Sequence, residues 1–340
     1  MFKKSQKKYL ELTVRVSYDE SNDSVSITSK DKSLPKDSGG FHLSLNGGRS
    51  AEQTLRTMLE DAGIITEEHI IPTMLPYDDI ADSTWDRIPV GKMGGSKTAF
   101  WNPTTSPTLL LSGSAGSGKS IIERSLIFHC LQHPDKWRIL GIDLKRIELL
   151  PYAKYSPVVE RIATELEDAL EICRYACDEM MDRYKKMEEI GINNYRDLPD
   201  APHAIMFLVD ETNVVLGMSG VKTDEGKAED KMKGEISMLL TKITRLGRAA
   251  GVHLVLATQR PDSSIFGAEL KANMTTRIVA GRADALHSHM VLGNEEATRI
   301  PWRTRGRGYI QEYGIGEQFQ AAFADMEWYD KWLKKQTPSE

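Results

Sequence analysis

Gly113, Gly118, Lys119 and Ser120 stand in the spacing G-x-x-x-x-G-K-S, the pattern of a phosphate-binding loop. Its glycines let the backbone bend so that N–H groups from Gly113, Ser114, Ala115, Gly116, Ser117, Gly118 and Ile121 come close to phosphate oxygens. Lys119 sets a cation on β- and γ-phosphates, and the Ser120 hydroxyl is a ligand for Mg²⁺. A second constellation lies downstream. Asp210 and Glu211 follow five apolar residues, Ile205 to Val209, and an acid pair ending a buried run is costly unless it binds something. After a phosphate-binding loop, the first acid suits the metal and the second suits orienting or deprotonating a water. Gln259 ends another apolar run, where an uncharged amide senses a γ-phosphate and holds that water by hydrogen bonds. Arg245 and Arg248 precede this run; such an arginine stabilises transition-state charge across a subunit boundary. Arg248 is the better candidate, and an ordinary surface arginine is the alternative for both.

These residues need elements to hold them. Thr108 to Leu111 reads as a buried strand and the residues from Gly118 as a helix. Arg138–Ile142, Ile205–Val209, Val252–Ala257 and Arg277–Ala280 read as further strands, the first ending at Asp143. Glu160 to Ile190 reads as one long helical tract, with Cys173 and Cys177 four residues apart as buried small hydrophobes rather than a metal pair. Continuous apolar strands between helices predict an α/β fold, a mainly parallel sheet covered by helices on both faces. Chemistry then belongs at the carboxyl ends of the strands. Ahead of this, residues 1–80 read as a small α+β module: a frayed basic start at 1–8, a β-hairpin over 11–27, a polar loop over 31–40 and a helix capped by Ser50 and ended by Gly63. Short strands are expected at 87–90 and 98–101. The expected division is 1–80, 81–330 and a tail at 331–340.

The 340 residues are 40% hydrophobic with net charge −5, so nucleic acid could be met only through a local basic patch. Three cysteines suggest a reducing compartment without a disulfide framework. No stretch approaches the roughly 18 apolar residues of a membrane span, and no signal-peptide core follows Met1. The expectation is a soluble, cytoplasmic protein.

In several stretches taken in order, the chain resembles the motor domain of the FtsK/SpoIIIE DNA translocases, within the FtsK–HerA group of ring ATPases. The stretches are LLLSGSAGSGKS (109–120), ILGIDLKRIELL (139–150), ACDEMMDRYKKMEEIG (176–191), FLVDE (207–211), RAAGVHLVLATQRP (248–261) and LKANMTTR (270–277). The resemblance implies a RecA-like ATPase that binds ATP and Mg²⁺ and assembles as a homo-oligomeric ring, a hexamer, pulling double-stranded DNA through its pore. It carries the family's phosphate-loop lysine onto Lys119, its acid pair onto Asp210 and Glu211, its sensing glutamine onto Gln259 and its arginine finger onto Arg248.

Departures narrow the expectation. The chain is expected to lack the membrane segment of cell-division members and the C-terminal module that reads orienting sequences. Residues 217–234 are polar and glycine-spaced. They read either as a mobile pore loop touching DNA through Lys222, Lys227, Lys231 and Lys233 or as a plain surface loop. Arg303, Arg305 and Arg307 alternate on an expected strand, as a DNA-backbone contact or a solvated face. His287 and His289 are a weak metal pair. The competing function is a conjugation-coupling or protein-secretion ATPase acting on a protein or protein–DNA substrate, with residues 1–80 recruiting a partner. A small-molecule kinase would need a lid and acceptor pocket in place of an acid pair followed by LATQRP.

Overall fold

The structure is a computed structural model and describes residues 14–19, 24–29, 42–44, 71–80, 84–261, 267–302 and 304–336. The expected basic start, the loop over 31–40 and the helix over 50–63 lie outside the described residues. The chain divides into two compact units, residues 1–69 and 70–340. In the first, β1 (Val14–Asp19) pairs antiparallel with β2 (Ser24–Ser29), Val16 opposite Ile27, and β3 (His42–Ser44) pairs with β2.

Among the described residues, the second unit is built on ten strands. They are β4 (Ile88–Lys92), β5 (Thr98–Trp101), β6 (Thr108–Ser112), β7 (Trp137–Ile142), β8 (Val159–Ala163), β9 (Ala204–Val209), β10 (Val252–Thr258), β11 (Thr276–Ala280), β12 (Arg307–Glu312) and β13 (Ile315–Ala321). Their order is β5-β4-β13-β12-β11-β6-β10-β9-β7-β8. From β11 to β8 all neighbours are parallel, and β12, β13, β4 and β5 extend the sheet antiparallel on one side. The helices among the described residues are α1 (Lys119–Gln132), α2 (Leu166–Ile190), α3 (Thr212–Leu216), α4 (Asp224–Ala250), α5 (Ala268–Ala272), α6 (Ala285–Leu292) and α7 (Met326–Gln336).

The parallel strands are apolar on both sides because both faces are covered. Leu109 and Leu111 of β6 point into a core shared with Ile122, Leu126 and Phe128 of α1, while Leu110 between them points to Cys173, Met180, Ile236 and Leu240 of α2 and α4. The pleat thus splits one strand between two cores. Arg174 pairs with Glu235 at 2.7 Å, and Tyr184 donates to the Leu246 carbonyl at 2.8 Å, so α2 and α4 lie side by side in the same direction.

Four expectations are corrected. Residues 159–163 form the edge strand β8, not the start of α2; exposed Glu160 and Arg161 charge that edge, as edge strands require. Residues 224–234 are the first turns of α4, not a loop. Thr223 caps them by accepting from the Gly226 N–H, and Asp224 and Glu225 favour the helix N-terminus. Residues 71–80 belong to the larger unit, since Tyr77 N–H donates to Phe323 O at 3.0 Å and Phe323 N–H to Leu75 O at 2.7 Å. Residues 331–336 are the end of α7 rather than a tail. Tyr329 of that helix stacks on Phe128 of α1 with ring centroids 5.1 Å apart.

Candidate nucleotide site

The loop between β6 and α1 turns through Gly116 and Gly118 at φ +76° and +107°. An L side chain avoids such angles, and at Gly118 a Cβ would also meet the Gly306 Cα at 2.9 Å. Ser114, Ala115, Gly116, Gly118, Lys119, Ser120 and Ile121 line one wall of a cleft of about 440 Å³, and Glu148, Gln259 and Arg305 line the rest. The parallel register puts the ends of β6, β9 and β10 at the same edge, so the residues following them converge.

Lys119 is buried, its ammonium 2.8 Å from Asp210 Oδ1 and 3.1 Å from both oxygens of Glu123. Burial works against the charge, but Glu123 and Asp210 together outweigh it and hold the lysine pKa above its usual value. Burial holds the Glu123 carboxyl above the usual carboxylate range, against the pull of Lys119. Two carboxylates thus compete for one ammonium in a dry pocket. A polyphosphate entering the cleft would offer that ammonium a further anionic partner.

Glu211 sits at φ +48°, a left-handed position that a non-glycine residue takes only under constraint. Its carboxylate accepts from the Gln259 N–H at 3.2 Å on Oε1 and from Lys145 Nζ at 3.1 Å on Oε2. Thr258 Oγ1 lies 3.3 Å from the same Oε1. Ser120 Oγ donates to Glu148 Oε1 at 2.8 Å. Asp143 stands outside the cleft chemistry: its Oδ2 accepts from the N–H groups of Leu149 and Leu150. That folds the segment carrying Lys145 and Glu148 toward the site.

The donor set fits a nucleotide with its metal. Ser120, Asp210 and Glu148 supply hard oxygen ligands. Among the described residues no three His, Cys, Asp or Glu side chains could hold an ion by themselves. Magnesium is commonly held this way, by one or two carboxylates together with substrate phosphates.

The structure brings Lys119, Ser120, Asp210, Glu211 and Gln259 together. Arg248 lies elsewhere. It is exposed, four residues before the start of β10, and its Nε donates to Thr104 O at 3.1 Å in the segment leading into β6. The seven residues of β10 separate it from Gln259 by about 23 Å. Arg245 pairs with Glu269 at 3.3 Å.

Two expected DNA contacts are corrected by burial. Lys233 is buried on α4, its Nζ donating to Gly217 O at 2.8 Å and pairing with Glu229 at 2.7 Å. Arg307 is buried at the start of β12, donating to Pro72 O at 2.9 Å and Ile71 O at 3.2 Å. Neither reaches a surface that DNA could touch. Arg305 is in a turn rather than on a strand and lines the nucleotide cleft. Lys222, Lys227 and Lys231 are exposed, Lys227 in a pair with Asp224, and Arg303 lies outside the described residues. His287 Nε2 is 2.8 Å from Ser112 Oγ at the foot of the phosphate loop.

Sequence reasoning passed over Glu123, Lys145, Glu148 and the placement of Arg305. Glu123 carried a signal, since it stands four residues after Lys119 on the same helix face. Lys145 and Glu148 lie in an irregular segment with no periodicity to aim them.

Residues 86–231 match the FtsK/SpoIIIE family model. The chain is 28% identical over 228 residues to DNA translocase FtsK of Tropheryma whipplei, covering 62% of this chain and 29% of that protein. It is 28% identical over 265 residues to DNA translocase FtsK of Streptococcus pyogenes serotype M1, covering 74% and 32%. The matches thus span about a third of these relatives' length. Among solved structures, the pCW3 conjugation coupling protein TcpA, in its monomer form with ATPγS, superposes with a TM-score of 0.72 at 24% identity over 96% of this chain and 94% of that one. The cytoplasmic domain of the Thermomonospora curvata type VII secretion ATPase EccC gives 0.59 at 22% identity, over 83% and 34%. These structural likenesses establish the fold. Among the described residues no helix is long and apolar enough to cross a membrane. The sequence matches, the fold and the phosphate-binding loop agree: over residues 86–231 this chain is similar to the FtsK/SpoIIIE family, on an α/β P-loop ATPase fold.

Proposed function

We propose that the chain is the subunit of a homo-oligomeric ring, a hexamer, that hydrolyses Mg-ATP at its subunit interfaces and moves double-stranded DNA. Lys119 leaves its carboxylate partners to hold the β- and γ-phosphates, with the loop N–H groups from Gly113 to Ile121 around them. Ser120 and Asp210, with Glu148 beside them, would hold a magnesium ion that neutralises charge on the phosphoryl oxygens. Glu211, released from Lys145, orients a water and accepts its proton. Gln259 hydrogen-bonds the same water and senses the γ-phosphate. Arg248 serves a neighbouring subunit's nucleotide, because its own lies past the opposite end of β10. Lys222, Lys227, Lys231 and Arg303 are the remaining proposed DNA contacts.

The observation that carries this reading is the meeting of Lys119, Asp210, Glu211 and Gln259 at one cleft, the first three within the residues that match the family model. The test is steady-state ATP hydrolysis at low salt with and without long duplex DNA, for the wild type and Lys119→Ala. Strong stimulation by DNA, abolished in the variant, is expected; hydrolysis indifferent to DNA would contradict it.

A second reading, a conjugation-coupling or secretion-type ATPase acting on a protein or protein–DNA substrate, draws on the likeness to TcpA over 96% of this chain. It is favoured if hydrolysis responds to a protein partner captured through residues 1–80 and not to naked duplex DNA.

A further inference from the structure

The phosphate loop has a second hollow on its other side. This hollow measures about 180 Å³ and shares Ser114, Ala115, Gly116 and Arg305 with the cleft already described. At about 30 Å³ of liquid volume per water it has room for more than a few solvent molecules. Its outer wall is Trp302, flanked by Pro301 and Thr304.

Trp302 is 75% exposed, while the other five of the chain's six tryptophans are buried or half-buried. It is nonetheless braced. The Arg282 guanidinium carbon lies 4.5 Å from the indole centroid, within cation–π range. Arg282 is itself anchored, its Nη1 donating to Ile300 O at 3.4 Å. A large aromatic ring is therefore held beside the phosphate loop with much of its surface open. Within the loop, Ser117 Oγ, also on the wall of this hollow, is buried without a hydrogen-bond partner.

We infer that Trp302 is the platform on which the purine base of the bound nucleotide stacks, with Arg305 on the ribose–phosphate path between the two hollows. The inference rests on the reading of the cleft as a nucleotide site. It adds the part that the phosphate loop cannot supply, since loop N–H groups, Lys119 and Ser120 recognise only phosphate and metal. Every base has a π-face, and an aromatic side chain takes it without needing a matched hydrogen-bond pattern. Arg305 is the one residue outside the phosphate loop that lines both hollows, so a ligand bridging them passes its guanidinium.

The test compares ADP with pyrophosphate, which shares its phosphates and lacks its base. Affinities are measured by titration calorimetry on the full chain for the wild type, Trp302→Ala and Trp302→Phe. Trp302→Ala should weaken ADP about tenfold or more and leave pyrophosphate within about twofold, while Trp302→Phe keeps ADP within about threefold. ADP should also change tryptophan fluorescence in the wild type and not in Trp302→Phe. Equal losses for both ligands would overturn the proposal, because Trp302 would then only support the loop. Unchanged ADP affinity in Trp302→Ala would also overturn it, placing the base elsewhere. A wild type that binds neither ligand would overturn the nucleotide-site reading and this inference with it.

Discussion

Glu211 is held in three ways at once. Its backbone is left-handed, one carboxylate oxygen accepts from the Gln259 N–H, and the other is paired with Lys145. Such constraint is how a side chain is kept aimed at a reaction rather than free in solvent. Glu211→Gln preserves shape and loses the base, so ATP should still bind while turnover falls by about 100-fold or more. Nucleotide binding and single-turnover hydrolysis measured together check this, and retained turnover would remove Glu211 from the role. Most of this chemistry was legible in the sequence. The loop residues, the acid pair and Gln259 each follow an apolar run, and a parallel sheet brings such ends together. The partners that hold them were not legible. Lys145 and Glu148 reach the site only because Asp143 folds their segment through two backbone N–H bonds, an arrangement with no period or spacing to reveal it.

The helix α4 shows where reading by element failed. Gly226 and Gly234 with alternating charges hid its first turns, yet Thr223, Asp224 and Glu225 are a helix start. The apolar stripe that buries it begins only at Ile236 and runs through Leu240 and Ile243. Lys233 joins that stripe with its stem buried and its ammonium tied to Gly217 O, as long basic side chains can. Lys233→Ala should therefore cost about 1–3 kcal/mol of stability by leaving a polar group unsatisfied, with no change in the salt dependence of DNA binding. Lys222→Ala should do the reverse, leaving stability intact and reducing the slope of log affinity against log salt by about 1. Denaturant titration and binding at several salt concentrations separate the two. A shallower slope for Lys233→Ala would return that residue to the DNA surface. At the packed end of α1, Phe128 is fully buried under Tyr329. Phe128→Ala should cost about 3–5 kcal/mol, and an unchanged melting temperature would deny that α7 is part of the larger unit's core.

At the scale of the molecule, acid should loosen the fold through two buried histidines. Burial pushes His129 down to about 3, against the Trp85 carbonyl 2.9 Å away, and burial likewise pushes His253 to about 3. The unfolded chain binds protons at these rings below about 6.5 and the folded chain does not, so stability is lost as pH falls from about 6.5 toward 3. The urea midpoint should fall between pH 7 and pH 5, less steeply in His129→Gln; a midpoint independent of pH would contradict the burial. Arg248 lies past the opposite end of β10 from its own cleft, so its proposed action on a neighbouring subunit's nucleotide would make hydrolysis depend on the assembly. Arg248→Ala mixed into wild-type rings should lower activity more than in proportion to its share, whereas a proportional loss would argue against action in trans.

The most direct measurement is displacement of a third DNA strand annealed to a long duplex, since a motor advancing along the duplex must strip it. With ATP the wild type should release that strand, while Glu211→Gln with ATP, and the wild type without nucleotide, should leave it bound. A wild type that hydrolyses ATP at full rate on the same duplex and releases no strand would contradict the claim that this chain moves double-stranded DNA.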